Sequence, residues 1–171
     1  MNTTAVETKA AGKRAAALAD RIVEGAELLA TFAEGLSEAE WSLPVTATDG
    51  RTVGVIVHHV ANMYPIEVDV VKVIAGGNAV TDVTWEAVAD INAQHAIEKA
   101  DVTKDEAIAL LRSNSRTAAD ALRELSDAEL DTAAPFSLSF GAPVTAQFVI
   151  EDHPLRHAWH HLARIKTAVG K

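Results

Sequence analysis

The chain has 171 residues, a formal net charge of −9 at pH 7 and no cysteine. Disulfides and thiolate metal ligands are therefore excluded, and the acidic balance argues against a nucleic-acid partner, because phosphates require a basic surface. No apolar run is long enough for a membrane span, and the N-terminus shows no apolar run typical of a signal peptide. We therefore expect a single cytoplasmic domain over residues 1–171, with no membrane partner.

The first half of the chain shows helical spacing of its apolar residues. Leu18 and Ile22 begin a series with three- and four-residue steps, which predicts a helix ending at Gly35. A longer stripe with the same spacing covers residues 52–75. Its many β-branched residues would also suit a strand, but its length favours a helix, which we expect Pro65 to kink.

The second half contains three further helical segments. Residues 85–98 and the segment that follows Thr103 both show helical spacing. The last helix is expected to start with Pro143 at its first position and to run to about Val169, with a kink or restart at Pro154. Four long helices with short connections predict an all-α protein, a four-helix bundle with short extra helices in its connections.

Two short segments resemble each other. Ser37 to Glu40 and Ser126 to Glu129 both have the sequence of a capping box. Each is followed by a loop with proline and then by a helix with histidines. Either the chain contains a two-fold repeat, or a common helix cap has arisen twice by chance.

The last helix carries four of the seven histidines within nine positions. Residues four apart share a helix face, so these histidines divide between two stripes. One stripe includes an isoleucine and is predicted to point inward, while the other carries two arginines and is predicted to face water. The inward stripe consists of His153, His157, His161 and Ile165, and the water-facing stripe consists of Arg156, His160 and Arg164.

The second long helix carries two adjacent histidines. His59 shares a face with Ile56 and Met63, whereas His58 shares a smaller and more polar face with Gly54. His59 is therefore the better candidate for an inward position.

Together with two imidazoles four residues apart on the last helix, His59 would form a three-nitrogen metal site. Such a site keeps a position open and acidifies a bound nucleophile. The competing interpretations are hydrogen-bonded core histidines and a surface cluster that binds adventitious metal.

Two sequence motifs resemble those of a known family. They are Thr52-Val-Gly-Val-Ile-Val-His-His59-Val-Ala and His157-Ala-Trp-His-His161-Leu-Ala-Arg-Ile165. Both resemble the signatures of the DinB-like (YfiT-like) metalloenzymes, in the right order and over nearly the whole chain. The resemblance implies a four-helix bundle of up-down-down-up type, with His59, His157 and His161 as ligands of a divalent ion, zinc or nickel. His58 and His160 fall outside this triad.

The sequence departs from the family pattern at Pro154, three residues before His157. His153 is either an extra ligand or a group in the core or at a cap. Carboxylates commonly orient metal-binding histidines, but the sequence does not rank the nearby acids, for which solvation is the simpler interpretation. The nearby acids are Glu67, Glu151 and Asp152, and the other polar neighbours of the triad are Tyr64 and Asn62.

The resemblance also implies candidate activities. Some relatives are transferases or isomerases that use a small bacterial thiol such as bacillithiol or mycothiol. Because this chain has no cysteine, such a thiol would be a cosubstrate beside a small-molecule substrate. We therefore expect a metal-dependent, thiol-dependent transferase or isomerase, or a hydrolase as its variant. The alternative is a non-catalytic metal-binding or stress-associated protein. Family members are often dimeric, which implies a homodimer.

Overall fold

The computed structural model describes residues 12–46 and 50–171. The prediction made for the N-terminus concerns residues that lie largely outside this range. The helices are α1 (Lys13–Glu34), α2 (Glu38–Trp41), α3 (Val53–Ala75), α4 (Trp85–Glu98), α5 (Lys104–Arg123), α6 (Asp127–Asp131), α7 (Ala146–Ile150) and α8 (Arg156–Val169), and the strands are β1 (Ala133–Pro135) and β2 (Pro143–Thr145).

The four-helix bundle is confirmed, with α1, α3, α5 and the continuous α7–α8 segment as its members. Helix α5 packs against both α1 and α3, and the last segment packs against the same two helices from the other side. The consecutive long helices α1 and α3 therefore lie diagonally across the bundle. Their apolar stripes meet along the axis in one continuous core.

Contacts along the helices establish their directions. Arg123 pairs with Asp20, and Arg112 pairs with Glu34, so α5 runs antiparallel to α1. Helix α8 runs parallel to α1, because Trp159 lies against Gly25 while Lys166 lies over the ring of Phe32.

Helix α3 runs in the same direction as α5. Asn114 of α5 donates to the Ala61 carbonyl at 2.9 Å, and Val102, just before α5, accepts from Trp41, which covers the start of α3 at Gly54. The order along the chain is therefore up-down-down-up, as the family resemblance implied.

The predicted ends of the first helices are confirmed. Helix α1 ends at Glu34 with Gly35 as its C-cap, and α3 ends at Ala75 before Gly76. Helix α3 continues through Pro65, which is exposed. A proline is tolerated there because solvent can hydrate the carbonyl that loses its backbone donor.

The prediction that the last helix starts at Pro143 is wrong. Pro143 belongs to strand β2, which pairs antiparallel with β1 in the register Pro135 to Pro143. The helix begins at Ala146, and the Thr145 hydroxyl caps it by accepting from the backbone N–H of Phe148. Proline is favoured at the first position of a helix, and it is also tolerated in a strand at a position where no backbone N–H is needed for pairing. The local sequence therefore did not distinguish a helix start from a strand.

A π-helical turn at Glu151–Leu155 connects α7 to α8. Pro154 lies inside it and has no N–H to donate, which explains why regular α-helical bonding stops here. A π turn holds more residues than an α turn and changes the direction of the side chains that follow. The expected interruption at Pro154 is therefore confirmed.

Both capping boxes form. The Ser37 hydroxyl accepts from the backbone N–H of Glu40, whose carboxylate accepts from the Ser37 backbone. Ser126 and Glu129 make the same reciprocal pair. The order long helix, short helix, connection, histidine-bearing helix occurs in both halves, although the second half adds a hairpin and the π turn.

Gly54 allows α2 to approach α3 closely. A Cβ at this position would lie 2.6 Å from two ring atoms of Trp41, whose Nε1 donates to the Val102 carbonyl at 3.1 Å. We expect Gly54→Ala to lower the free energy of unfolding by about 1–3 kcal/mol, because the indole cannot move without losing this bond. Urea denaturation measures the effect.

Gly35→Ala is the matched control, since its Cβ would meet nothing closer than 3.6 Å. Equal stability of the two variants would contradict the role assigned to Gly54.

No helix in the described part of the chain is both long and apolar enough to cross a membrane.

Candidate metal centre

Helices α3 and α8 bring three imidazoles together. His59 comes from the N-terminal half of α3, while His157 and His161 lie one turn apart on α8. One ring nitrogen from each of the three lies within 4.8 Å of the others. Nε2 of His157 is 3.1 Å from Nε2 of His59. The structure therefore brings together the three residues that the helical faces selected.

The spacing of the nitrogens fits a shared ion. Two nitrogens each about 2.0–2.1 Å from one tetrahedral ion would lie roughly 3.3–3.4 Å apart. This distance is close to the 3.1 Å between Nε2 of His157 and Nε2 of His59. His161 is buried, and its Nδ1 has no hydrogen-bond partner. Burial, followed by the charges of His157 and His59, lowers the pKa of His161 far below its ordinary value. A neutral ring of this kind keeps a lone pair for a metal, so the donor set fits a divalent ion.

Glu67 orients one member of the triad. Its Oε1 accepts from Nδ1 of His157 at 2.8 Å, and the residue is only 6% exposed. A proton held at Nδ1 leaves the Nε2 lone pair directed at His59, which is the usual role of a carboxylate behind a metal-binding histidine. The sequence interpretation of Glu67 as a solvated acid is wrong. Its position eight residues after His59 on one helix face was the available signal.

The triad opens into a cavity of about 510 Å³. All three histidines and Glu67 line it. Apolar side chains from α3, α4, α7, the loop before α4 and the β1–β2 connection form most of the remaining wall. These are Met63, Ile66, Val70, Val83, Trp85, Val88, Ile91, Phe136, Leu138 and Val149.

A second pair of imidazoles lies behind the triad. Nδ1 of His58 is 2.8 Å from Nε2 of His95, and the two residues are 3% and 8% exposed. The prediction that His59 rather than His58 lies inward is therefore wrong, since His58 is at least as buried as His59. His95 belongs to α4, where it is the buried side chain. The pair therefore ties α4, one wall of the cavity, to α3.

The other candidate residues lie in different places. His153 lines the cavity and has its ring centroid 5.6 Å from that of Phe136. Asp152 lines the cavity and pairs with Arg156 at 3.2 Å. Glu151 is exposed and accepts from Gln147.

Two further polar neighbours of the triad also differ in burial. Tyr64 is buried, and burial raises the pKa of its hydroxyl. Asn62 is exposed.

The stripe predicted to face water also reaches the cavity. Arg156 and His160 are exposed, as predicted. Together with Arg164, they also line the mouth of the cavity. Adjoining faces of α8 therefore form one wall, with the metal-binding face deeper and the arginine-bearing face at the opening.

The buried His58–His95 pair makes stability sensitive to acid. Burial is the main cause that lowers the pKa of each ring. An unfolded histidine takes up a proton below pH about 6.5, whereas in the folded chain these two rings take up a proton only at lower pH. The contribution of this pair to the free energy of unfolding should therefore be complete above that pH and decrease below it. We expect a loss of at most about 1.4 kcal/mol per ring per pH unit.

Urea denaturation of the metal-free protein at pH 7.5 and pH 5.5 measures this loss. Replacing His95 with Gln removes one of the titrating groups and should flatten the pH dependence. An identical pH dependence in the wild type and the variant would contradict the assignment.

Comparisons with known proteins agree with this geometry. Among solved structures, YfiT from Bacillus subtilis aligns with a TM-score of 0.70 and 16% identity, over 99% of this chain and 93% of that chain. YfiT is described as a probable metal-dependent hydrolase with an unusual four-helix bundle topology, and at this identity the likeness shows the fold alone. No curated protein matches the chain. A family model described as the DinB superfamily matches residues 21–165, and the chain therefore belongs to the DinB superfamily.

Proposed function

We propose that this protein is a divalent-metal-dependent enzyme that acts on a small molecule. His59, His157 and His161 would hold the ion. The observation that carries this proposal is that the three imidazoles line a cavity of about 510 Å³. Structural metal sites are normally closed by four protein ligands, whereas catalytic sites keep a position open beside a pocket.

The chain's own residues prepare the site. Glu67 holds the proton of His157 at Nδ1, so that Nε2 is presented to the centre. The burial of His161 keeps that ring neutral. Apolar side chains around the triad limit the number of waters and strengthen electrostatic interactions inside the cavity. A divalent ion, when bound, would lower the pKa of a nucleophile that it coordinates.

A thiol nucleophile must come from outside the chain. No cysteine is present, so a transferred thiol group would belong to a small cosubstrate such as bacillithiol or mycothiol. Water in the same place would make the enzyme a hydrolase, which is how the neighbour YfiT is described. We propose thiol transfer or isomerisation as the activity and hydrolysis as its variant. Zinc and nickel are the proposed metals, since imidazole ligands suit both.

A paired assay tests this function. The zinc-loaded and nickel-loaded proteins would be given monobromobimane with bacillithiol, mycothiol or cysteine, and separately 4-nitrophenyl acetate without a thiol. We expect metal-dependent acceleration with at least one thiol. Acceleration of the ester reaction alone would indicate the hydrolase. Bound metal without acceleration in either assay would favour the alternative of a non-catalytic metal-binding protein.

The homodimer is also a proposal. The Val-rich helix α3 is largely buried within its own chain. Pairing would therefore use other surfaces, and light scattering of the purified protein would give the mass directly.

A further inference from the structure

We propose that the substrate of this site carries an apolar chain or ring, which binds along α4 and leaves the reacting group at the metal centre. This inference rests on the proposed function and names its substrate class. It starts from two stripes of apolar side chains that line the same cavity as the triad.

The first stripe belongs to α4. Trp85, Val88 and Ile91 follow one another at three-residue steps, and all three line the cavity. Side chains at this spacing lie on one face of a helix. Helix α4 therefore presents an apolar face to the cavity.

The second stripe belongs to α3 and lines the same space. Met63, Ile66 and Val70 occur at three- and four-residue steps, and all three line the cavity. In a packed bundle, two apolar faces of this kind would bury each other. Here they enclose a cavity of about 510 Å³, which is within the usual size range for a small-molecule site.

Core packing does not account for the apolar face of α4. His95 is the buried side chain of this helix, whereas Trp85 is 56% exposed and Ile91 is 53% exposed. On α3, Ile66 is 46% exposed. Contact between water and large apolar side chains is unfavourable, and a group of them around a concave site is typical of a binding surface. A ligand that fills the cavity would remove this surface from water.

The charged side chains of the described wall already have partners. Glu67 is hydrogen-bonded to the triad, and Asp152 contacts Nε of Arg156 at 3.2 Å. Arg51 and Arg164 also interact with other groups of the chain. A charged ligand would compete with these contacts, whereas an apolar ligand needs none of them. The apolar wall is therefore the surface that selects the ligand.

The position of His95 gives the direction of the ligand. Its ring centroid is 5.8 Å from that of His59, and Ile91 lies about one turn before it on α4. From Ile91 to Trp85 the helix rises by about 9 Å. An extended chain of about eight carbons covers this length, since its bonds are about 1.5 Å long. The apolar part of the substrate therefore extends from the metal centre toward Trp85.

Displacement of a fluorescent probe from the full-length protein tests the inference. N-phenyl-1-naphthylamine, which is uncharged and apolar, would be bound first and then displaced by butanamide, hexanamide or octanamide. These competitors share one polar group and differ only in chain length. We expect each added methylene to tighten binding about two- to fourfold, because it is buried against the apolar wall. Affinities that do not depend on chain length, or no saturable binding of the probe, would overturn the inference.

Two isoleucines on α4 provide a matched pair of variants. Ile91→Ala removes part of the cavity wall and should weaken the binding of octanamide about three- to tenfold. Ile97→Ala makes the same change at a position that is 74% exposed and outside the wall, and it should leave the affinity unchanged. Trp85→Ala should act like Ile91→Ala. Affinities equal to that of the wild type in both wall variants would contradict the assigned role of α4.

Each titration is performed on the protein as purified and after treatment with EDTA, which separates this inference from the proposed function. The dependence on chain length should be the same in both, because side chains alone form the wall. If it is present while the enzyme assays fail, the apolar site stands and the proposed function does not. If the enzyme assays succeed while chain length has no effect, the metal centre stands and this inference is overturned.

Discussion

We expect the double variant His157→Ala/His161→Ala to lose its bound metal, from about one divalent ion per chain to background. Two of the three nitrogens that lie within 4.8 Å of one another would be removed. His59 alone offers a single donor, which does not hold an ion against dialysis. Elemental analysis of the wild type and the variant, purified and dialysed side by side, measures this loss.

His160→Ala is the matched control. His160 lies between the two ligands in sequence but is exposed, and it does not belong to the three-nitrogen group. The control variant should retain the metal content of the wild type. Equal metal content in the wild type and the double variant would show that the triad is not the metal site, and the proposed function would then lose its basis.

Replacing Glu67 with Gln should weaken metal binding by about 10–100-fold, the usual effect of losing a carboxylate behind a histidine ligand. Oε1 of Glu67 accepts from Nδ1 of His157 at 2.8 Å. The amide keeps the shape of the side chain but removes the negative charge that supports the ligand. Competition with a chromogenic chelator would measure the change in dissociation constant.

The control for this prediction is Glu151→Gln, which changes an exposed carboxylate in the π turn. Its metal affinity should match that of the wild type. A Glu67→Gln protein that also binds metal as tightly as the wild type would show that the contact with His157 does not support the ligand. The triad itself would still stand, because the two predictions concern different groups.

Much of the fold could be predicted from local patterns. Gly35 and Gly76 end helices where the apolar spacing stops, and Ser37 and Ser126 start short helices through contacts within three residues. Helical geometry relates residues a few positions apart without reference to the rest of the chain. The prediction failed at Pro143 because the hairpin forms only by pairing with a partner strand. The closest pair in the β1–β2 register, Pro135 and Pro143, is eight residues apart.

The candidate site divides in the same way. The sequence itself determined the one-turn spacing of His157 and His161 and the inward face of His59. Periodicity alone indicates which face of a helix is buried. Only the tertiary structure decided what each buried face meets. It placed Glu67 behind His157 and His95 against His58.

The tertiary structure also turned the arginine-bearing face of α8 toward a cavity that α4 encloses. These contacts join residues far apart in the chain, and helical periodicity carries no information about the partner that a face will meet.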